Sequence, residues 1–260
     1  MYSIPNTLFI GKELVYLQEI DSTNSYLKNL LQTQGKQKEG LLVIANEQTA
    51  GRGQSTNTWI SEQGQNITTS ILFHPHFLEP RQIFYFNKAV ALAVRECIDL
   101  VANKNEAAHH RVSIKWPNDI LIGTKKVAGI LIENSFRSNT IEYAISGIGI
   151  NVNQKFRNIG AFNAISLSDI CEKDIDLQEV INLLCGMLEK YYLILKRFDL
   201  NKIDASYKKY LFGIGVERQF IFNGKYIYGI VSGVNENGLL LIAIEGELKE
   251  FRLKEIEWVI

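Results

Sequence analysis

Four short stretches of this 260-residue chain combine the side chains that chemistry on an anionic substrate needs. In the first, EQTAGRGQSTNTW over residues 47–59, Arg52 stands between Gly51 and Gly53, Gln54 follows, and the run ends at Trp59. Glycines let backbone amides approach an anion, a guanidinium offers a planar fork to phosphate or carboxylate, and an indole can cover a flat ring. The same residue types also build an ordinary surface loop whose Trp dips into the core. The second stretch is Lys115-Trp116-Pro117-Asn118-Asp119, followed by Lys125-Lys126-Val127-Ala128-Gly129. Strand alternation turns Lys115 away from the side of Ile114 and Trp116, and Pro117 forces an exit that exposes Asn118 and Asp119. An amide and a carboxylate there suit a metal-phosphate group, and a facing lysine suits the neutralisation of negative charge. Solvated lysines on a hairpin are the plain alternative.

The third stretch, Gly147-Ile148-Gly149-Ile150-Asn151, puts small residues at a strand end, where a ligand can come close and Asn151 can read a base edge. It lacks the third glycine of the dinucleotide fingerprint, and the chain holds no GxxxxGK[ST] phosphate loop. The fourth, Asp21-Ser22-Thr23-Asn24, is a good helix start whose hydroxyls and free amides can also grip a polar ligand. His74, His76, His109 and His110 lack zinc-protease spacing and read as solvated or hydrogen-bonded side chains.

Composition limits what these stretches can belong to. Lys and Arg number 28, as do Asp and Glu, so the formal charge is zero and a protein that coats nucleic acid is disfavoured. Apolar runs such as Leu41 to Ala45 stop far short of the roughly 18 residues a membrane span needs. The N-terminus has no basic start, apolar stretch and cleavage site, and Cys97, Cys171 and Cys185 are few, odd in number and far apart. A cytosolic chain with reduced thiols is expected.

The elements that must position these residues alternate between strand and helix periodicity from Leu14 to Ile150, the mark of a mixed α/β layer. Asp21 or Ser22 caps a helix carrying Leu27, Leu30 and Leu31 and ending at Gly35. Leu41 to Ala45 reads as a buried strand, and Ile67, Thr69, Ile71 and Phe73 as a strand with one buried face. Gln82 to Val101 follows helical spacing. Val112 to Trp116, Ile120 to Ile122, Val127 to Ile132 and Ile141 to Ile145 read as strands, the second and third as a hairpin around Gly123. Asp176 with Glu179 predicts a capping box on an amphipathic helix reaching Leu195. Beyond Gly213 the runs shorten and are divided by Asn223-Gly224, Asn237-Gly238 and Glu245-Gly246, which are hairpin turns. We expect a large domain over residues 1–212 and a small β-barrel over 213–260, docked on it because it is too short to stand alone.

Taken in order, DSTN, EQTAGRGQ with its Trp, KWPND followed by KVAGIL, and GIGIN resemble the biotin protein ligase family from Leu14 to the C-terminus. The resemblance implies an α+β fold: a mixed β-sheet with helices packed on one side, then an SH3-like barrel. It implies activation of biotin by ATP to biotinyl-5′-AMP, with Mg2+, and transfer to a lysine of a biotin carboxyl carrier domain. By motif position, Ser22, Thr23, Asn24 and Gln48 hold the ring system of biotin and Gly51, Arg52 and Gly53 close over it, with Gly129 and Gly147 beside it. Trp59, Asn118, Asn151 and Gln54 face the adenosine part, Asp119 the metal or phosphates, and Lys126 the reacting carboxylate and α-phosphate, with Arg52 and Lys115 as further catalytic cations. Better-known bacterial members carry an arginine where Gln54 stands. About twenty residues precede DSTN, so no DNA-binding domain is expected. A lipoate or octanoate ligase or transferase of the same superfold and a silent biotin-sensing module are the competing readings.

Overall fold

The computed structural model describes residues 2–104, 109–156 and 163–259. The first part of the chain runs β1 (Leu14–Ile20), α1 (Thr23–Gln34), β2 (Leu42–Gln48), β3 (Ile67–Phe73), α2 (Ile83–Ala102), β4 (Val112–Lys115), β5 (Asp119–Ile122), β6 (Lys125–Arg137) and β7 (Thr140–Ile150). Helices α3 (Leu167–Cys171), α4 (Leu177–Lys196) and α5 (Leu200–Tyr210) follow. The seven strands form one mixed sheet in the order β1-β2-β3-β7-β6-β5-β4. Only β1 and β2 pair in parallel; the other neighbours are antiparallel.

Strand alternation gives the sheet two unlike faces. On β7, Ile148 and Ile150 enter the main core with Phe86, Val90 and Val94 of α2 and Ile181, Leu184 and Leu188 of α4. Ile145, with the opposite parity, joins Leu27 of α1, Val43 and Leu72 in a second, smaller cluster. The larger helices therefore cover one face as expected, and α1 covers part of the other. This second cover corrects the expectation for β3: all seven of its residues are buried, because α1 shields Leu72 while α2 and α4 shield Ile71 and Phe73. Each fully buried Leu or Ile side chain contributes about 1.5–3 kcal/mol, so the apolar parity of every strand is strongly fixed.

Helix ends show where local patterns lose to neighbours. Ser22 is the N-cap of α1 in extended geometry, yet its hydroxyl makes no capping bond. Asp176 caps α4 by accepting from the amide of Gln178 at 2.9 Å, but the expected capping box is absent, since Glu179 pairs instead with Lys104 at 2.7 Å. No helix of the described residues is long and apolar enough to cross a membrane.

The chain ends in β8 (Glu217–Phe222), β9 (Lys225–Val234), β10 (Leu240–Ile244), β11 (Glu247–Phe251) and β12 (Ile256–Trp258), an antiparallel sheet in the order β11-β10-β9-β8-β12. The expected SH3-like barrel is not closed. Among the described residues the three-residue β12 pairs with β8 and β11 pairs with β10, which leaves β11 and β12 as edges. The inner residues Phe220, Val231, Leu240, Ile242, Phe251 and Ile256 belong to the main core cluster, so this sheet shares its core with the larger one. Two polar contacts reinforce the junction: the Trp116 indole donates to the carbonyl of Gly238 at 2.9 Å, and buried Lys88 of α2 reaches both Asp204 of α5 and the carbonyl of Val234.

Candidate active site

The face that α1 leaves partly open carries a trough. On β6 and β7 the residues Gly129, Leu131 and Glu133 stand opposite Gly149, Gly147 and Ile145, so the parity that carries isoleucines on the core side carries glycines here. The glycines make room for close-lying side chains. A Cβ on Gly147 would collide with the amide of Asn24, and one on Gly149 with the indole of Trp59. The enclosed volume is about 110 Å³ and is lined by Ser22, Thr23 and Asn24 from the start of α1 and by Gln48 from the end of β2.

At that end the polar groups hold one another. Gln48 Oε1 accepts from the backbone amide of Thr23 at 2.8 Å and lies 3.1 Å from its hydroxyl. Ser70 Oγ, fully buried on β3, lies 2.7 Å from Thr23 Oγ1 and 2.6 Å from Asn24 Oδ1. Ser70 can donate to Asn24 Oδ1 while the Thr23 hydroxyl donates to Ser70 or to Gln48, so these groups form one connected hydrogen-bond chain.

The other end is charged. Residues 51–59 fold back on themselves as a short hairpin: Arg52 bridges Thr58, the amide of Gly53 donates to the carbonyl of Asn57, and that of Trp59 to the carbonyl of Gly51. Arg52, Gly53, Gln54 and Trp59 line the trough from this hairpin, with Asn118, Asp119, Lys126 and Gly129 from β5, β6 and the turn before them. Lys126 Nζ sits 2.6 Å from Asp119 Oδ1 and 5.7 Å from the centroid of the Trp59 ring. A register shift between Ile120 and Leu121 in the β5/β6 pair accompanies the placement of Lys126 beside Asp119. Among the described residues the indole Nε1 of Trp59 is buried without a hydrogen-bond partner.

Three expected residues stand outside the trough lining. Gly51 is packed beneath the hairpin, where a side chain would run into the carbonyl of Trp59. Asn151 lines a neighbouring cavity behind Trp59 and Lys126, and its amide donates to the carbonyls of Lys126 and Ile165. Lys115 lies one strand over, as the cross-strand partner of Asp119. Burial pushes its ammonium below the usual lysine range, Asp119 draws it back up and Lys126 lowers it further, so Lys115 is an electrostatic neighbour of the Asp119–Lys126 pair. Asn118 both lines the trough and braces it, its amide donating to the carbonyl of Ile130 at 2.8 Å. Sequence reasoning missed Ser70 and Glu133. Ser70 was hidden by attention to the apolar parity of β3; Glu133 is a charge on the parity of Gly129 and Leu131, and that was its available signal.

A model of the biotin/lipoate A/B protein ligase family matches residues 16–151, the span that supplies every trough residue named above. The chain belongs to this family. The ligase/repressor BirA of Bacillus subtilis is 33% identical over 255 residues, covering 96% of this chain and 75% of its own length. The biotin–[acetyl-CoA-carboxylase] ligase of Paracoccus denitrificans is 27% identical over 206 residues, 77% of this chain and 82% of that one. Among solved structures, a biotin protein ligase from Aquifex aeolicus in complex with biotin and ATP superposes with a TM-score of 0.76 at 27% identity, over 95% of this chain and all of that one. This chain and the Aquifex aeolicus structure therefore share the arrangement from the mixed sheet to the C-terminal strands.

Proposed function

We propose that this chain is an ATP-dependent biotin protein ligase. The carboxylate oxygen of biotin attacks the α-phosphorus of ATP, the bond to the β-phosphate oxygen breaks, and pyrophosphate leaves. A lysine ε-amine of a biotin carboxyl carrier domain then attacks the resulting acyl-adenylate, giving an amide and AMP. The observation that carries this reading is the trough itself, with a glycine floor, hydrogen-bonding groups at one end and the Lys126–Asp119 pair at the other.

Each residue has a role its position supports. Ser22, Thr23, Asn24 and Gln48 bind the ring system of biotin, whose ureido N–H groups and carbonyl match the mixed donors and acceptors there. The glycines Gly129, Gly147 and Gly149 let Lys126, Asn24 and Trp59 press close to the sheet, which sets how deep the acid can enter between them. Lys126 draws two anions, carboxylate and α-phosphate, together and offsets the charge that builds on the phosphoryl oxygens. Arg52 and Gln54 cover this centre from the hairpin, and Lys115 raises the local positive potential. Trp59, Asn118 and Asn151 surround the adenosine.

Asp119 is the candidate metal residue. Among the described residues no group of three or more His, Cys, Asp or Glu is placed to hold a metal. The Asp119 carboxylate is of the hard-oxygen type that suits magnesium and would hold such an ion beside the nucleotide phosphates. Bound there, it would screen phosphate charge. Asp119→Ala should weaken magnesium-dependent ATP binding by at least tenfold while biotin affinity changes little; calorimetry with each ligand checks this, and equal losses would reassign Asp119 to folding. The three thiols are all unpaired, which supports work in a reducing compartment.

The deciding experiment incubates the chain with a carrier domain, biotin, ATP and magnesium and reads the carrier by streptavidin blot. Labelling that requires ATP is expected. Biotin binding without labelling would leave a sensing module, and transfer of lipoate or octanoate in place of biotin would leave the related ligase reading.

A further inference from the structure

Glu133 has no place in the reaction described above, yet its carboxylate ties together two walls of the trough. It projects from β6 on the face of Gly129 and Leu131. The guanidinium of Arg52 donates to it twice, Nη2 to Oε1 at 3.0 Å and Nη1 to Oε2 at 3.2 Å, and the amide of Asn24 donates to Oε2 at 2.8 Å. Paired, charge-assisted bonds of this kind fix the plane of a guanidinium as well as its distance. Arg52 is the only charged residue between Thr49 and Trp59. The hairpin that covers the trough thus has one ionic anchor, and Gln54 at its tip supplies none.

We infer that Glu133 is a positioning residue that latches this hairpin shut through Arg52 while orienting Asn24. The role rests on the ligase reading for its consequence, the retention of biotinyl-5′-AMP until a carrier arrives. Glu133 makes no contact with Lys126 or Asp119, so its charge acts on the hairpin that covers the trough and not on the pair that meets the reacting groups. Side-chain exposure of 45% for Arg52 and 26% for Glu133 gives a pair that solvent can weaken but not dissolve, as a cover that must reopen requires.

Glu133→Gln keeps the shape and an acceptor for Asn24 but removes the charge. With the adenylate preformed, its dissociation should be about tenfold faster in this variant, the difference between charge-assisted and neutral bonds. The rate of pyrophosphate release in a single turnover should stay within about twofold of the parent chain. Because Glu133 acts through Arg52, the double variant Arg52→Gln/Glu133→Gln should lose the adenylate no faster than Arg52→Gln alone. In the ligand-free chain, trypsin should cut after Arg52 faster in Glu133→Gln, a readout that needs no activity. An unchanged dissociation rate, effects that multiply in the double variant, or equal trypsin cutting would each overturn the latch. A parent chain that forms no adenylate, yet is cut faster when Glu133 is replaced, would overturn the ligase reading and leave the latch standing.

Discussion

The two ends of the trough are built on different physics. The Ser22–Asn24 end is lined by buried hydroxyls and amides that are positioned by one another, with Ser70 fully enclosed and Asn24 nearly so. At the Arg52–Trp59 end, Arg52 is exposed, Trp59 is half-buried, and position depends on ion pairs to Glu133 and Asp119 and on an indole resting over Gly149. Buried hydrogen bonds that cannot be exchanged for water make a rigid reader. Half-exposed charges make a cover that can let a nucleotide in and a pyrophosphate out. The proposed reaction would use both, a rigid end for the acid and an opening end through which ATP enters and pyrophosphate and AMP leave.

Perturbing each end separately breaks or sharpens this contrast. Lys126→Ala should have the largest effect, lowering the rate of adenylate formation by about 10²–10³, the usual cost of losing one electrostatic donor at a reacting centre. Lys126 is about one-third exposed, so thermal stability should hardly move, and pyrophosphate exchange within a few-fold of the parent would remove it from the reaction. Ser70→Ala comes next. It takes away the hydroxyl between Thr23 and Asn24 and should weaken biotin binding by about tenfold or more with ATP binding unaltered, because a buried polar partner left unpaired costs ~1–3 kcal/mol. Calorimetry that found both ligands equally weakened would erase the division between the ends. Gln54→Arg should slow escape of preformed adenylate by about one order of magnitude, by adding a second charged anchor to the hairpin tip. A rate unchanged or faster would mean that Arg52 and Glu133 already hold the cover fully. Trp116→Phe is the smallest, a loss of ~1 kcal/mol in unfolding free energy from the bond to Gly238, read in denaturant.

Much of the rigid end was legible from the chain alone. DSTN sits where a helix begins, and the spacing of Gly147 and Gly149 between isoleucines states which face is core and which is open. Periodicity also located the long helices and most strands, since a buried stripe repeats along the sequence. That the C-terminal sheet stays open was not legible: β12 does return to β8, but closing a barrel needs a further pairing of its three residues with β11, which no turn signal reports. Nor was Glu133. Its meaning comes from Arg52, 81 residues earlier, and a sequence shows a lone acid on a strand without showing what it faces. Asp176 and Glu179 had the right spacing for reciprocal capping, but Lys104 from another element competed for the carboxylate.

The floor of the trough also sets the order in which this chain can become functional. Strand β7 supplies Gly147 and Gly149 and pairs with both β3 and β6, and its register with β3 joins Ile67 to Ile150 across 83 residues that include the whole of α2. Such a closure is entropically slow and comes after local helices and hairpins have formed. Until it happens there is no surface on which an acid and a nucleotide can lie side by side. A nascent or half-folded chain therefore cannot generate a reactive acyl-adenylate, and substrate present during maturation would favour the finished molecule by mass action, by ~2.7 kcal/mol at a hundred times its dissociation constant.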